Sequence, residues 1–217
     1  MSEETFGIMR MMDMEGVETQ AALQCAPLLA GLKISNLLHV GASQKEEVFR
    51  MFEGSPVSCR LLYQWKNRVA LFLYREKSLK RYLSGGKVQA LLNSFGYEYE
   101  GMDLEPVMEK LSSRYQKYME RKASFPHEIG FLLGYPPEDV TGFIENQGRN
   151  FLYSGYWKVY GDPAKARRVF EEYDRAREAV IRMAGNGRGI KDIMAYYHDR
   201  KRPGYGSAGY KRRQLTA

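Results

Sequence analysis

The chain has 217 residues and a net charge of +7, and 44% of its residues are apolar and 13% aromatic. This length and aromatic content exclude a disordered protein and are sufficient for one sizeable hydrophobic core. The two cysteines, Cys25 and Cys59, are too few for a disulfide-stapled secreted scaffold, so they favour a reduced, cytoplasmic setting.

The N-terminal residues 1–17 are rich in methionine and acidic side chains, and they predict a mobile segment. They lack the basic start and the apolar core of a signal peptide. The longest apolar strings, such as Val69–Tyr74, are far shorter than the ~20 residues that span a bilayer. We therefore expect a cytoplasmic protein without a membrane partner.

A helix is expected in residues 18–33, but Pro27 interrupts its pattern. Proline lacks a backbone N–H and clashes inside a helix, whereas it is well tolerated in a first turn. The sequence therefore favours a helix that starts near Ala26, with Cys25 at or next to its N-cap. Residues 35–40 follow as a short buried strand.

The clearest β-strand signal lies in residues 57–75, where two apolar runs flank Lys66 and Asn67. This arrangement predicts an antiparallel hairpin. The second arm is almost continuously apolar, which predicts a central position in a sheet. Helical spacing of apolar residues predicts further helices at residues 43–52, 76–83, 87–95 and 103–122.

Residues 125–162 form the densest run of glycine, proline, aromatic and special polar residues in the chain. The pattern predicts two short helices, at residues 126–133 and 137–146, and then a Tyr/Trp-rich strand at 151–160. Asp162 is the predicted N-cap of a long helix that has Pro163 at its first position. That helix runs to residue 185, and residues 189–199 form a last short helix.

These elements mix strands and helices without the regular spacing of βαβ units. The hairpin argues against an all-parallel sheet. We therefore predict an α+β fold, with a small mixed or antiparallel sheet that has a central hairpin and is packed by several helices. The prediction places this fold in a single domain of residues 18–197.

The C-terminal residues 198–217 contain six Lys or Arg and one acid, so they carry +5 of the net +7. This Gly/Tyr/Arg-rich segment is predicted to be a disordered basic tail. A nucleic-acid-binding domain usually carries its basic excess on a folded surface. A nucleic-acid partner is thus not expected except through the tail, where weak binding is the alternative to a solubilising role.

Three blocks carry a family resemblance: CAPLLAGLK (residues 25–33), FPHEIGFLLGYPPEDVTGFIENQGRN (125–150) and GYWKVYGDPAKARRVFEEYD (155–174). Together they resemble an uncharacterised bacterial family, domain of unknown function 3793, found mainly in anaerobic Gram-positive bacteria. The resemblance covers most of residues 20–180. The resemblance implies no established activity and leaves any cofactor unknown. It also implies a flavodoxin-like protein as a redox partner.

One interpretation of these blocks is a thiol site of the papain-like type, in a cysteine-dependent hydrolase or transferase. Such enzymes use a Cys at a helix start, a His as its base and an Asn that orients the His, in that chain order. The candidates here are Cys25, His127 and Asn146 or Asn150. The alternative is that Cys25 is a buried small hydrophobe and His127 a capping or packing residue.

The second interpretation is a pocket for a flat or phosphorylated ligand in the 125–162 stretch. This is the leading interpretation. It makes the chain an accessory protein that binds a small ligand or a redox partner. The candidate ligand-binding residues are Tyr135, Arg149, Tyr156, Trp157, Lys158 and Tyr160. The alternative is an ordinary aromatic core.

Other kinds of site find little support in the sequence. The nucleotide motifs GxGxxG and Walker A are absent, and so are CxxC and HExxH, so no metal site is predicted. Asp139 and Glu145 are candidate site residues only if their helix faces a cleft. The sequence leaves open whether the protein is an enzyme.

Overall fold

The computed structural model describes residues 1–97 and 103–199, and in these residues the chain forms ten α-helices, one short 3-10 helix (Ala42–Gln44) and five strands. The strands are β1 (Ser35–Gly41), β2 (Ser58–Trp65), β3 (Arg68–Tyr74), β4 (Tyr153–Ser154) and β5 (Lys158–Val159). The helices are α1 (Glu3–Met11), α2 (Val17–Leu29), α3 (Lys45–Phe52), α4 (Glu76–Leu83), α5 (Gly86–Ser94), α6 (Glu105–Met119), α7 (Ile129–Leu132), α8 (Pro137–Glu145), α9 (Pro163–Gly185) and α10 (Ile190–Asp199).

The central sheet has three antiparallel strands in the order β1-β3-β2. The predicted hairpin is therefore present as β2 and β3, and its apolar second arm is the central strand. In the register of the sheet, Leu71 of β3 lies opposite Leu38 on one side and Leu61 on the other. The architecture confirms the predicted α+β class.

Both faces of the sheet are covered by helices, because the side chains of β3 alternate between two hydrophobic clusters. Leu71 and Leu73 point into a cluster that includes buried residues of α2, α3, α9 and α10. Phe72 points to the opposite face, where α4, α5, α6, α7 and α8 contribute the buried residues. The continuous apolar run in β3 is therefore explained by burial on both faces.

The long helix α9 begins as predicted. The Asp162 carboxylate accepts hydrogen bonds from the backbone N–H groups of Ala164 and Lys165, each at 3.0 Å, and Pro163 occupies the first helical position. Because the first N–H groups of a helix have no partner within the helix, this cap fixes where α9 starts. The helix then packs against α2 and α1.

The structure corrects the prediction for the first core helix. Helix α2 runs from Val17 to Leu29, so Cys25 lies inside the helix and not at its N-terminus. Pro27 lies in the last turn of this helix, and its missing N–H costs the helix the hydrogen bond to the carbonyl four residues earlier. Its carbonyl accepts the backbone N–H groups of Leu32 and Lys33 at 2.9 and 3.0 Å, which closes the turn into β1.

Two further segments differ from the sequence-based expectation. Residues 1–17 contain helix α1, whose Thr5 is fully buried, and this helix packs against α9. The aromatic run 151–160 is a small hairpin of β4 and β5 and not one strand, because the chain turns at Gly155 and Trp157. Of the predicted basic tail, residues 200–217 lie outside the described residues.

The outer edge of β1 is covered by a side chain of α2. The Gln24 side-chain amide donates to the carbonyl of His39 and accepts from the His39 backbone N–H, both at 2.9 Å. The Asn36 amide similarly donates to the carbonyl of Leu37 at 2.8 Å. These side chains supply hydrogen bonds that a fourth strand would otherwise provide.

Candidate functional site

A cavity of about 330 Å³ lies between β1, the segment before α7, α8 and β5. Leu37 of β1 contributes one wall, and the other lining residues belong to the 125–162 stretch. They are Phe125, His127, Ile129, Gly130, Leu133, Tyr135, Asp139, Val140, Phe143, Trp157 and Lys158. The cavity therefore forms where the sequence concentrates its aromatic and special residues.

The walls on either side of the cavity approach each other closely because of two glycines. A Cβ at Gly130 of α7 would lie 2.8 Å from a methyl carbon of Val140 in α8. A Cβ at Gly142 of α8 would lie 2.5 Å from the Cβ of Tyr160. Any larger residue at either position would separate the elements that enclose the cavity.

A buried carboxylate connects α8 to the small hairpin. Asp139 is 4% exposed, and its Oδ2 accepts a hydrogen bond from Nε1 of Trp157 at 2.7 Å. Its Oδ1 accepts the backbone N–H groups of Tyr160 and Gly161 at 2.7 and 2.8 Å. These three N–H donors take the place of the water molecules that hydrate a carboxylate in solution and that it loses on burial. Asp139 therefore positions the Trp157 wall of the cavity, and both of its oxygens already accept hydrogen bonds.

A stack of aromatic rings forms the inner wall. The rings of Tyr135 and Trp157 stack with 5.1 Å between centroids, and Trp157 makes an edge contact at 4.5 Å with Phe170 of α9. The ammonium of Lys33 lies 5.2 Å from the centre of the Tyr135 ring. Burial raises the pKa of Tyr135 to about 12, so its phenol is neutral at physiological pH.

Two basic side chains lie at the outer part of the cavity, and both contact Phe143. The imidazole of exposed His127 lies 5.0 Å from the Phe143 ring, centre to centre. The ammonium nitrogen of Lys158 lies 5.6 Å from the same ring and 4.9 Å from that of Phe151. Lys158 also donates a 2.7 Å hydrogen bond to the carbonyl of Gly148, which holds the ammonium in place.

The cavity includes three of the six residues predicted to bind a ligand: Tyr135, Trp157 and Lys158. Tyr156 is directed to α9 instead, where its hydroxyl donates to Asp174 at 2.9 Å. Arg149 is exposed and does not line the cavity, and neither does Tyr160, whose ring packs over Gly142.

The lining residues that the prediction omitted are mostly apolar. Leu37, Ile129, Leu133 and Val140 carry no sequence signal that separates a cavity wall from ordinary core. Asp139 did carry a weak signal, since the sequence made it a candidate if its helix faced a cleft, and α8 does face one.

The predicted nucleophile is sealed in the core. Cys25 is 0% exposed, and its sulfur accepts a 3.3 Å hydrogen bond from the Asn36 amide. Burial raises the pKa of its thiol to about 12, although the Asn36 hydrogen bond and the Lys33 charge oppose that effect. A nucleophilic cysteine needs an accessible thiolate, so these surroundings disfavour the thiol-hydrolase interpretation.

The other two predicted catalytic residues occupy different surroundings. His127 lines the cavity between Phe125 and Phe143, with ring centroids 5.3 and 5.0 Å away. Asn146 ends α8, and its amide donates to the carbonyl of Gly142 at 2.8 Å. The contacts of Cys25, His127 and Asn146 in the described structure do not include one another. Their joint catalytic role stays an untested prediction.

Alkylation provides a direct check on Cys25. In the native protein at pH 8, we expect iodoacetamide to leave Cys25 unmodified, because its thiol is buried and protonated. The half-buried Cys59, whose pKa burial also raises to about 12, should react slowly. Mass spectrometry of peptides from native and urea-unfolded samples, with Cys25→Ser as the control, distinguishes the two sites. Rapid modification of Cys25 at pH 7 would instead support the hypothesis that Cys25 is a catalytic nucleophile.

Within residues 1–97 and 103–199, no cluster of three or more His, Cys, Asp or Glu side chains is arranged to hold a metal ion. None of the helices described in these ranges combines the length and apolar character needed to cross a membrane.

The chain matches the model of a family described as "Protein of unknown function (DUF3793)" over residues 21–194. The chain belongs to this family. Every residue that lines the cavity of this DUF3793 protein lies within the matched range. Searches among curated proteins and among solved structures gave no match. Membership in DUF3793 confirms the resemblance seen in the sequence and assigns no activity.

Proposed function

We propose that this protein is a small-ligand-binding accessory protein that holds a flat, largely apolar molecule in the cavity beside β1. The observation that carries the proposal is the cavity itself, at about 330 Å³ and lined mainly by apolar and aromatic side chains. Ligand sites typically have volumes of about 300–1,000 Å³ and a few polar groups among apolar walls. The volume of this cavity lies near the lower end of that range.

The aromatic wall favours a flat ligand. Trp157 is held by the Asp139 hydrogen bond and by its contacts with Tyr135 and Phe170, so its ring has a defined orientation. A rigid ring of this kind can stack on a planar molecule at little cost in conformational entropy. We prefer a small molecule to a flavodoxin-like redox partner as the occupant because a cavity of this size admits a small molecule and not a protein surface.

A neutral planar probe tests the proposal. The protein contains two tryptophans, so Trp65→Phe leaves Trp157 as its sole tryptophan. Trp65 is 56% exposed at the end of β2, which makes the change mild. We expect N-phenyl-1-naphthylamine to quench Trp157 emission saturably in this variant.

Paired substitutions locate the binding. Leu37→Phe adds bulk to the cavity wall and should weaken quenching, whereas Leu61→Phe, at a half-buried strand leucine outside the cavity, should not. Absence of saturable quenching in the parent variant, or equal effects of the two substitutions, would overturn the proposal.

A further inference from the structure

We propose that the ligand is a planar aromatic acid whose anionic group binds the ammonium of Lys158 and whose ring enters the cavity. This inference rests on the proposed function and adds the chemical class and the orientation of the ligand. It is drawn from three features of the cavity: a carboxylate inside whose two oxygens already accept three hydrogen bonds, a positioned cation at its outer part and aromatic rings beside that cation.

The inner wall offers little to a polar ligand group. Both oxygens of Asp139 are occupied by N–H donors, and the indole N–H of Trp157 is used in one of those bonds. A ligand acid placed beside Asp139 would also face its negative charge. The apolar end of a ligand is therefore the end that can enter, since buried polar groups without partners are costly.

The Lys158 ammonium is available to an anion. An ammonium has three N–H donors, and the one hydrogen bond of Lys158 in the described residues goes to the Gly148 carbonyl. No salt bridge to a carboxylate involves Lys158 in residues 1–97 and 103–199. Its side chain is half-buried and contacts the rings of Phe143 and Phe151, so an ion pair formed there is only partly screened by water.

A second basic side chain, His127, contacts the same aromatic ring as Lys158. Its imidazole contacts Phe143, as the Lys158 ammonium does, so the two basic groups lie around one ring. An imidazole carries at least one N–H in either tautomer. His127 is therefore a second N–H donor beside Phe143, while the ring of a ligand bound through Lys158 contacts Phe143 and the cavity wall.

Two probes that share one ring system test the inference in the Trp65→Phe protein. They are 1-anilinonaphthalene-8-sulfonate, which is anionic, and N-phenyl-1-naphthylamine, which lacks the sulfonate. We expect the anionic probe to bind about tenfold more tightly, as one charge-assisted hydrogen bond allows. Lys158→Met should weaken binding of the anionic probe about tenfold more than binding of the neutral probe, and so remove that preference. The matched control is Lys165→Met, which removes an exposed lysine on α9.

The outcomes separate the two proposals. Equal binding of both probes, unchanged by Lys158→Met, would overturn the anion-binding role of Lys158 and leave the ligand-binding function standing. Failure of both probes to quench Trp157 would overturn both proposals. A preference for the sulfonate that Lys165→Met removes as strongly as Lys158→Met would show a general charge effect and would also overturn the specific role.

Discussion

Replacing Asp139 with alanine should lower the free energy of unfolding by about 3 kcal/mol. The substitution leaves three N–H donors without their acceptor, and one of them, Nε1 of Trp157, belongs to a buried side chain. An unsatisfied buried donor costs about 1–3 kcal/mol, which exceeds the small net gain of a formed hydrogen bond. The hairpin of β4 and β5 should loosen first, because Asp139 attaches it to α8.

Urea unfolding followed by Trp157 emission in the Trp65→Phe background measures this effect. Glu145→Ala is the matched control, because Glu145 is an exposed acid on the same helix and should change stability by less than about 0.5 kcal/mol. Asp139→Asn keeps the shape of the side chain and one carbonyl oxygen. Its loss in the free energy of unfolding should therefore fall between those of Asp139→Ala and Glu145→Ala. A loss below about 1 kcal/mol for Asp139→Ala would mean that the hairpin does not depend on the carboxylate.

Replacing Lys33 with methionine should stabilise the protein at pH 7 by about 2 kcal/mol. Lys33 is 7% exposed, and burial lowers the pKa of its ammonium from 10.5 to about 8. Within the described residues the polar contacts of Lys33 are the side-chain amide oxygen of Asn36 at 2.7 Å and the Tyr135 ring, with no carboxylate partner. Methionine removes the cost of burying the charge and loses one hydrogen bond.

The lowered pKa of Lys33 determines in which direction the stability of the protein changes with pH. Between pH 8 and 10.5 the unfolded chain keeps a proton on Lys33 that the folded chain has released. Unfolding then takes up a proton, so stability rises with pH in this window. Above pH 9 the buried Cys25, with its pKa raised to about 12, acts in the opposite direction. The rise should therefore be clearest between pH 8 and 9.

Denaturant titrations at pH 7, 8 and 9 compare the wild-type protein with Lys33→Met. Stability of the wild type should increase over this range relative to the variant, and the two curves should converge. Lys165→Met, at an exposed position, should follow the wild type. Parallel pH profiles for wild type and Lys33→Met would show that Lys33 does not titrate in this range.

The β2–β3 hairpin and helices α4, α8 and α9 could be predicted from the sequence because their signals are local. Alternating or continuous apolar runs define the strands, and Asp162 with Pro163 defines the start of α9 whatever packs against it. Helix α2 was misplaced because Pro27 locally favours a first turn, whereas the chain keeps one helix through it, with Ala22, Cys25 and Leu28 all buried in the core. That burial is a tertiary effect.

The cavity could be located from the sequence, but its wall could not be assigned. Glycine and aromatic density identified the 125–162 stretch, and Trp157 and Lys158 do line the cavity. Tyr156 is one residue away, yet its hydroxyl donates to Asp174 of α9 and it does not line the cavity, because residues 156 and 157 lie in the turn between β4 and β5, where no strand alternation fixes the side-chain directions. The burial of Lys33 is a tertiary effect without any local signal. The same holds for Cys25, whose surroundings are set by Asn36 from another element.

The Gln24 side chain has a consequence for the behaviour of many copies of the chain in solution. A bare strand edge can recruit the edge of a second molecule and so start aggregation. Because Gln24 occupies both backbone groups of His39, β1 cannot extend the sheet there without first releasing α2. The opposite edge, β2, has an irregular register between Leu61 and Tyr63, which interrupts a regular template. Both borders of this small sheet therefore resist polymerisation, although it has only three strands.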